Sequence, residues 1–457
     1  MRPGRSCGLL ERESLRLLDE ALDILAEGYA DLPGFVQKAD MEAMRPALIE
    51  AARRMQDNYP YPHPLYAGQM LKPPHPAARL AYMLALWINP NNHALDGGRA
   101  SSRMEKEAVA QIARMFGWET HLGHLTSGGT VANLEALWVA REVTGGRTVV
   151  ASEQAHYTHR RLSGVLGVPF DAVETNREAR MDPAALEDAL RRRDVGTVVA
   201  TLGTTATGAC DPLPEIVALR KRYGFRLHVD AAYGGYFALA ANLGPETRRV
   251  YDALHEADSI VVDPHKHGLQ PYGCGCVLFK DPSVGVVYKH DSPYTYFSSN
   301  ELHLGEISLE CSRAGASAVA LWTTQRMLPL ERGGRFAADL EQCRAAALDL
   351  CGRLRDAPWC LAASPPELDI VVWAPRARRA SEISRASRLV FEEAAKVGLH
   401  LAVATLPSRL FRGVWPVEWD QDAVACLRSC LMKPEHLQWM DTIWRKLEEA
   451  MARAAQA

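Results

Sequence analysis

Three short segments of this chain hold residue types that could do chemistry. In Ser259-Ile-Val-Val-Asp-Pro-His-Lys-His-Gly268 an apolar run leads straight into Asp263, His265 and Lys266. An amine placed there stands at a strand end, where open α/β sheets put their ligands. The plain alternative is an exposed turn lysine. In Leu227-His-Val-Asp230-Ala-Ala232-Tyr-Gly-Gly235 a second apolar run ends in an acid followed by small residues. Such an acid can keep a ring nitrogen protonated, and Ala232 leaves room for a flat ring against the backbone; a capping Asp is the alternative. In Leu125-Thr-Ser-Gly-Gly129-Thr130-Val-Ala-Asn a Gly-rich turn opens a helix. Free N–H groups at a helix start bind phosphate, although an ordinary turn reads the same way. No Gly-Lys-Ser/Thr follows, so it is not a Walker P-loop.

These segments need a frame to bring them together. Candidate strands are Thr148–Ser152, Thr197–Leu202, Arg226–Asp230, Ser259–Asp263 and Gly275–Phe279. They are short and apolar on consecutive positions, as strands covered on both faces are. Helices alternate with them: Asp182-Pro183 and Asp211-Pro212 read as helix starts, and Gly224 as a stop. The alternation predicts an α/β fold with a mostly parallel sheet and helices on both faces. Ahead of it, 12–30 and 40–57 read as helices, with Leu15, Leu18, Leu22 and Leu25 on one face and Gly28 closing the first. A Pro-rich stretch from Tyr59 to Pro64 is extended. Helices over 336–355, 380–397 and 434–455, with a strand over 368–374, predict a small α+β domain. The expected division is an N-terminal helical and extended segment over 1–100, a large domain over 101–330 and a small C-terminal domain over 331–457.

The chain has 457 residues, 52 basic and 55 acidic, a net charge of −3. That balance argues against a nucleic-acid partner. Hydrophobic residues at 47% exclude disorder as the main state. Ten cysteines show no C-x-x-C pair and no zinc spacing, so no metal is expected and the cysteines read as reduced and buried in a cytoplasmic protein. No signal peptide and no membrane-spanning run is expected either.

Phosphate cradle, then acid, then lysine, in this order, resembles a pyridoxal phosphate enzyme of the aspartate-aminotransferase fold type (fold type I). The motifs Asp-Pro-His-Lys266, His-Val-Asp230-Ala-Ala-Tyr and Thr-Ser-Gly-Gly-Thr130 resemble those of the group II amino-acid decarboxylases, which include aromatic-amino-acid, tyrosine and glutamate decarboxylases. The resemblance covers most of the chain and is strongest over 100–320. It implies pyridoxal 5'-phosphate as cofactor, Lys266 as the Schiff-base lysine and Asp230 as partner of the pyridine nitrogen. It further implies Ala232 beneath the ring, His156 stacked above it, and Thr205 near the phenolic oxygen. Gly129, Thr130 and His265 are the implied phosphate contacts. A homodimer with the site at its interface is implied too, the N-terminal helices wrapping the partner.

The chain departs from the pattern in places. Asp263 stands where the aromatic-amino-acid enzymes have Asn; an ionised Asp cannot donate to phosphate, so it is expected to orient backbone groups. Val131 stands where many relatives have Glu, and the interval from Lys266 to Arg313 is shorter. Arg313, in a segment resembling the Ser-Arg-x-Gly of archaeal-type relatives, is a candidate carboxylate or phosphate anchor, with a surface Arg at a helix start as the alternative. Arg428 lies in a segment resembling the family's C-terminal strand. Tyr66 and His93 are candidate substrate contacts, with packing as the alternative. Tyr294 and Tyr296 follow a Pro-broken turn in the region that carries a proton-donating loop tyrosine in the aromatic-amino-acid enzymes, with interface packing as the alternative. The resulting expectation is decarboxylation of an L-amino acid, a small-molecule substrate, to the corresponding amine. An aldehyde synthase, a carbon–carbon lyase and a catalytically silent binding protein are the competing readings.

Overall fold

Where Val and Ile concentrate, strands form, and they collect into one large sheet. The computed structural model describes residues 10–36, 38–289 and 302–456. Its first seven strands are β1 (Leu122–Thr126), β2 (Thr148–Ser152), β3 (Phe170–Val173), β4 (Val195–Thr201), β5 (Arg226–Asp230), β6 (Ser259–Val262) and β7 (Gly275–Phe279). Their order across the sheet is β1-β7-β6-β5-β4-β2-β3. β7 is antiparallel to both neighbours, while β2 to β6 pair in parallel. β4 is buried along its whole length, as expected for a strand covered on both faces. The structure adds β1 and β3, which the residue pattern does not announce. Gly123 and His124 interrupt the first, and the second is short.

Before the sheet come helices α1 (Leu15–Glu27), α2 (Met41–Arg54), α3 (Pro76–Leu86) and α4 (Leu95–Met115). Of the leucine face read on α1, only Leu18 is buried, and α2 buries nothing. Within the sheet's connections lie α5 (Gly129–Thr144), α6 (Thr158–Leu166), α7 (Pro183–Arg192) and α8 (Leu213–Tyr223). Asp182 caps α7 as predicted, accepting from the Ala184 and Ala185 N–H groups, and Gly224 ends α8 with φ +69°. Asp211 does not cap α8. Its buried carboxylate accepts the N–H groups of Met181 at 2.6 Å and Thr201 at 2.8 Å, so it ties β4 to the turn before α7. Burial pushes this carboxyl up to about 7, against the pull of those two bonds.

After α9 (Pro245–Asp252) and α10 (Gly315–Met327), the long helix α11 (Arg335–Asp356) joins two cores. Phe336, Ala337 and Leu340 pack into the core of the large sheet, while Ala346, Ala347, Leu350 and Leu354 pack into a second one. That second core lies against β8 (Cys360–Ala362), β9 (Ile370–Pro375), β10 (Ala402–Pro407) and β11 (Ala423–Cys430), an antiparallel sheet of order β10-β11-β9-β8. Helix α12 (Ala380–Lys396) packs on it. The single terminal helix expected over 434–455 is broken at Trp439 into α13 (Glu435–Gln438) and α14 (Met440–Ala454). Among the described residues nine cysteines are free thiols, and Cys311 is the exposed exception to the expectation of burial. No helix among them is long and apolar enough to cross a membrane, and no cluster of metal-ligating side chains occurs.

Candidate active site

Parallel pairing aligns the strand ends that matter. Thr201 lies opposite Asp230, and Asp230 opposite Val261, so the ends of β4, β5 and β6 open on one edge of the sheet. The chain leaving β6 enters Asp263-Pro-His-Lys266 at that edge. Gly129, Thr130, His156, Thr205, Asp230, Ala232, His265 and Lys266 all line one cavity there, about 300 Å³ in volume.

Asp230 is the electrostatic centre of that cavity. Its Oδ2 accepts from His159 Nε2 at 2.8 Å and faces Asn133 Nδ2 at 3.4 Å; its Oδ1 accepts the Ala232 N–H at 3.1 Å. Burial alone would raise its pKa, but the His159 bond and charge outweigh that and hold the carboxyl well below the usual range. Asn133 Oδ1 accepts from His228 Nε2 at 2.8 Å, and His228 Nδ1 then meets Ser259 Oγ at 2.9 Å. Burial pushes His228 down to about 3, so it stays neutral. His159 and His228 are site-supporting residues that the sequence reading missed. The available signal was a second histidine, His159, three positions after His156 in the first turn of α6.

The Gly-rich turn is shaped for close approach. Gly128 adopts φ +150°, a region that side chains avoid, and a Cβ on Gly129 would lie 2.7 Å from Asp263 Oδ2. The first amide after the turn to bond back is Ala132, to Gly128 O at 3.0 Å, which leaves the Gly129, Thr130 and Val131 N–H groups pointing ahead of the helix. His156 is half-buried, holds Thr158 Oγ1 at 2.8 Å through Nδ1, and is pushed toward the neutral form by burial. Lys266 Nζ pairs with Asp263 Oδ2 at 3.0 Å, and His265 Nε2 lies 3.5 Å from the same oxygen. Asp263 therefore engages side chains, not the backbone groups expected. Asp263 Oδ1 and Thr201 Oγ1 are buried at the cavity with no partner among the described residues.

The candidate substrate residues among those described sit elsewhere. The Arg313 side chain is sunk in the interior, its Nη1 on Glu105 Oε1 at 2.7 Å and on the Leu125 carbonyl at 2.5 Å, so it is committed internally and does not reach this cavity. Neither an anchor at this cavity nor a surface Arg describes it. Tyr66 is buried among Tyr59, Tyr61 and His400, with Lys433 5.2 Å from its ring. His93 packs beside Gly305 and Cys311. Tyr294 and Tyr296 lie outside the described residues. Arg428 does come near: it donates to the carbonyl of Thr205 at 2.5 Å and to Gln69 Oε1 at 2.6 Å.

An ionised acid, an amine, a flat wall at Ala232 and a helix start with free amides fit pyridoxal phosphate: a ring nitrogen on Asp230, an aldehyde at Lys266, phosphate at Gly129 and Thr130. Residues 70–347 match the pyridoxal-dependent decarboxylase conserved domain. The chain belongs to that family. Its curated relatives include an L-tyrosine decarboxylase of Enterococcus faecium, 30% identical over 59% of this chain and 60% of that protein. A probable L-tyrosine/L-aspartate decarboxylase of Methanopyrus kandleri is 29% identical over 74% of this chain and 88% of its own length. The chain thus spans about 60% of the length of the bacterial tyrosine decarboxylases it matches. Among solved structures, the Oryza sativa TDC with PLP and tryptamine superposes with TM-score 0.77 at 18% identity, covering 98% of this chain and 100% of that one. Mouse CSAD gives 0.77 at 20% identity, covering 96% and 92%. These establish fold type I.

Proposed function

We propose that this chain decarboxylates an L-amino acid to the corresponding amine with pyridoxal phosphate as cofactor. The observation that carries the reading is an Asp230 carboxyl kept ionised by His159 in the same cavity as the Lys266 amine. When bound, the cofactor supplies a conjugated ring that accepts the electrons freed as the carboxylate leaves. The chain supplies the rest. Asp230 holds a proton on the ring nitrogen, because a carboxylate so far below its usual range stays ionised and favours the cation. Lys266 Nζ is the attachment point, and Asp263 steadies it. His156 and Ala232 face the cavity from positions that would confine a flat ring between them. Gly129 and Thr130 offer amides to an anion. His156 and Lys266 are the cavity's candidates for returning a proton to the substrate Cα. Arg428, through the Thr205 carbonyl and Gln69, positions the rim.

The chain is proposed to act as a homodimer. Helix α2 exposes Met41, Met44, Leu48 and Ile49 and buries none of its residues. An amphipathic helix gains little stability without a surface for its apolar side. The test of the activity is an assay of the cofactor-loaded protein on a panel of L-amino acids, tyrosine and aspartate among them, measuring CO₂ and amine together. CO₂ and amine in equal amounts from one of them is expected. Cofactor attached to Lys266 with no CO₂ from any would overturn the activity while leaving the cofactor site intact.

A further inference from the structure

The Gly-rich turn that opens α5 already has an anion on it. Ser127, which lines the cavity immediately before Gly128, donates its N–H to Glu310 Oε2 at 2.9 Å. We infer that Glu310 is a charge gate on the anion cradle: its carboxylate lowers the affinity of the chain for the phosphorylated cofactor and eases cofactor exchange. This rests on the reading of the cavity as a pyridoxal phosphate site.

Glu310 is held in place and is not a stray surface acid. On one side the Leu309 N–H donates to Glu135 Oε2 at 3.2 Å, and Glu135 is a fully buried residue of α5 itself. Ser308 Oγ donates to the Glu310 carbonyl at 2.9 Å. On the other side the Arg313 N–H donates to Asn91 Oδ1 at 3.1 Å, and the Arg313 guanidinium is sunk against Glu105. The strap from 308 to 313 is thus pinned to α5 and to the turn before α4, with the Glu310 carboxylate delivered to the turn between. Among the described residues no cation pairs with Glu310, so its charge is not cancelled locally.

Two effects of this contact oppose each other. As an acceptor, Glu310 fixes Ser127 and so pre-shapes the turn. As a charge, it repels a phosphate arriving at the Gly129, Thr130 and Val131 amides, two to four residues further on, and it engages one of the turn's own donors. Gly128 N–H is already directed to Thr126 Oγ1 at 3.3 Å, so the Gly129, Thr130 and Val131 amides are the ones left to the anion. Like charges about 4 Å apart alter binding by about fivefold even at the dielectric of bulk water, and by more near a protein surface, whereas the shape of the turn is also fixed by Gly128 and by Asp263 against Gly129. The charge is therefore the larger effect.

The substitution Glu310→Gln separates the two, because the amide oxygen still accepts from Ser127 while the charge is gone. Cofactor-free wild type, E310Q and E310A would be titrated with pyridoxal phosphate and, separately, with inorganic phosphate, following cofactor absorbance and calorimetry. E310Q is expected to bind both at least about fivefold tighter and to release cofactor more slowly in a dilution assay. Unchanged or weaker binding by E310Q, with E310A weaker still, would show that Glu310 only shapes the turn and would overturn the gate. Borohydride mapping of both proteins keeps the two ideas apart. If neither carries cofactor on Lys266 the cofactor reading fails, and the phosphate titration still decides the role of Glu310. Absence of any phosphate binding by wild type and E310Q alike would end the proposal.

Discussion

His159 Nε2 lies 2.8 Å from Asp230 Oδ2, and both side chains are buried. The carboxylate can only accept while ionised, so this nitrogen carries the proton and the imidazole is fixed in orientation. Asp230 in turn has Oδ2 committed to His159 and Asn133 and Oδ1 to the Ala232 N–H, while the carboxylate lines the cavity.

Replacing Asp230 by Asn is expected to lower turnover by about 100-fold or more, because a neutral amide no longer favours a cationic ring nitrogen. His159→Phe should act through Asp230, raising its carboxyl pKa and lowering turnover by a smaller factor. The acid limb of the rate profile should move to higher pH in His159→Phe, since the carboxylate there loses the bond that depresses its pKa. A His159→Phe protein with wild-type rate and profile would remove His159 from the site.

Lys266 is expected to carry the cofactor after borohydride reduction, as peptide mapping would show. The motivation is its place at the cavity with Asp263 3.0 Å away. A label on Lys280, which instead bonds the His255 carbonyl at 2.9 Å outside the cavity, would sink the assignment. In the same preparation His156→Ala should lose cofactor faster on dialysis and show a shifted visible spectrum; an unchanged spectrum would make His156 an ordinary loop residue.

Much of this site is legible in the residues because each part ends an apolar strand or begins a helix. Asp230, Lys266 and Gly129 lie where local pattern and ligand geometry coincide. What escaped is tertiary. Asp211-Pro212 has the same local signature as Asp182-Pro183, yet only Asp182 caps a helix; the difference is the proximity of Met181 and Thr201, which no local pattern encodes. Arg313 looks free in sequence and is spent on Glu105, 208 positions away. His159 becomes informative only once the fold brings its side chain to Asp230 at the end of β5. β1 went unread because Gly123 and His124 break the apolar run, though Leu278 and Val277 of β7 pair with them.

Glu105 gives a stability test. Its Oε1 receives Arg313 Nη1 at 2.7 Å and the Leu125 N–H at 2.9 Å, and its Oε2 receives Asn92 Nδ2 at 2.6 Å, all in the interior. Glu105→Ala leaves a buried guanidinium without its carboxylate, which costs about 3–5 kcal/mol. Urea unfolding should show that loss as a lower midpoint at an unchanged slope. Glu105→Gln, which keeps the acceptor, should lose less. A loss under about 1 kcal/mol for Glu105→Ala would mean that water or rearrangement satisfies Arg313, because exposed pairs contribute only that much.

Lys433 supplies a pH dependence with a defined sign. It is 4% exposed, its amine donates to the Tyr66 carbonyl at 2.6 Å, and among the described residues no carboxylate lies within ion-pair distance. Burial, and next the neighbouring Lys72 charge, push its pKa down to about 7, against a smaller opposing pull from Glu435. In the unfolded chain the amine titrates near about 10.4. Between those values the unfolded state binds more protons than the folded one, so stability rises with pH across the window and is lost as pH falls through about 7. Lys433→Met loses the Tyr66 bond at every pH but is freed from burying a charge. Relative to wild type it should therefore be most favourable near pH 6 and lose ground by roughly 1 kcal/mol per unit between pH 7 and 9. Other titrations common to both proteins cancel in the difference. Urea unfolding of the two at matched ionic strength from pH 6 to 9 measures it. A difference that stays flat across that range would show that Lys433 remains charged in the fold, stabilised by the Tyr66 carbonyl and ring.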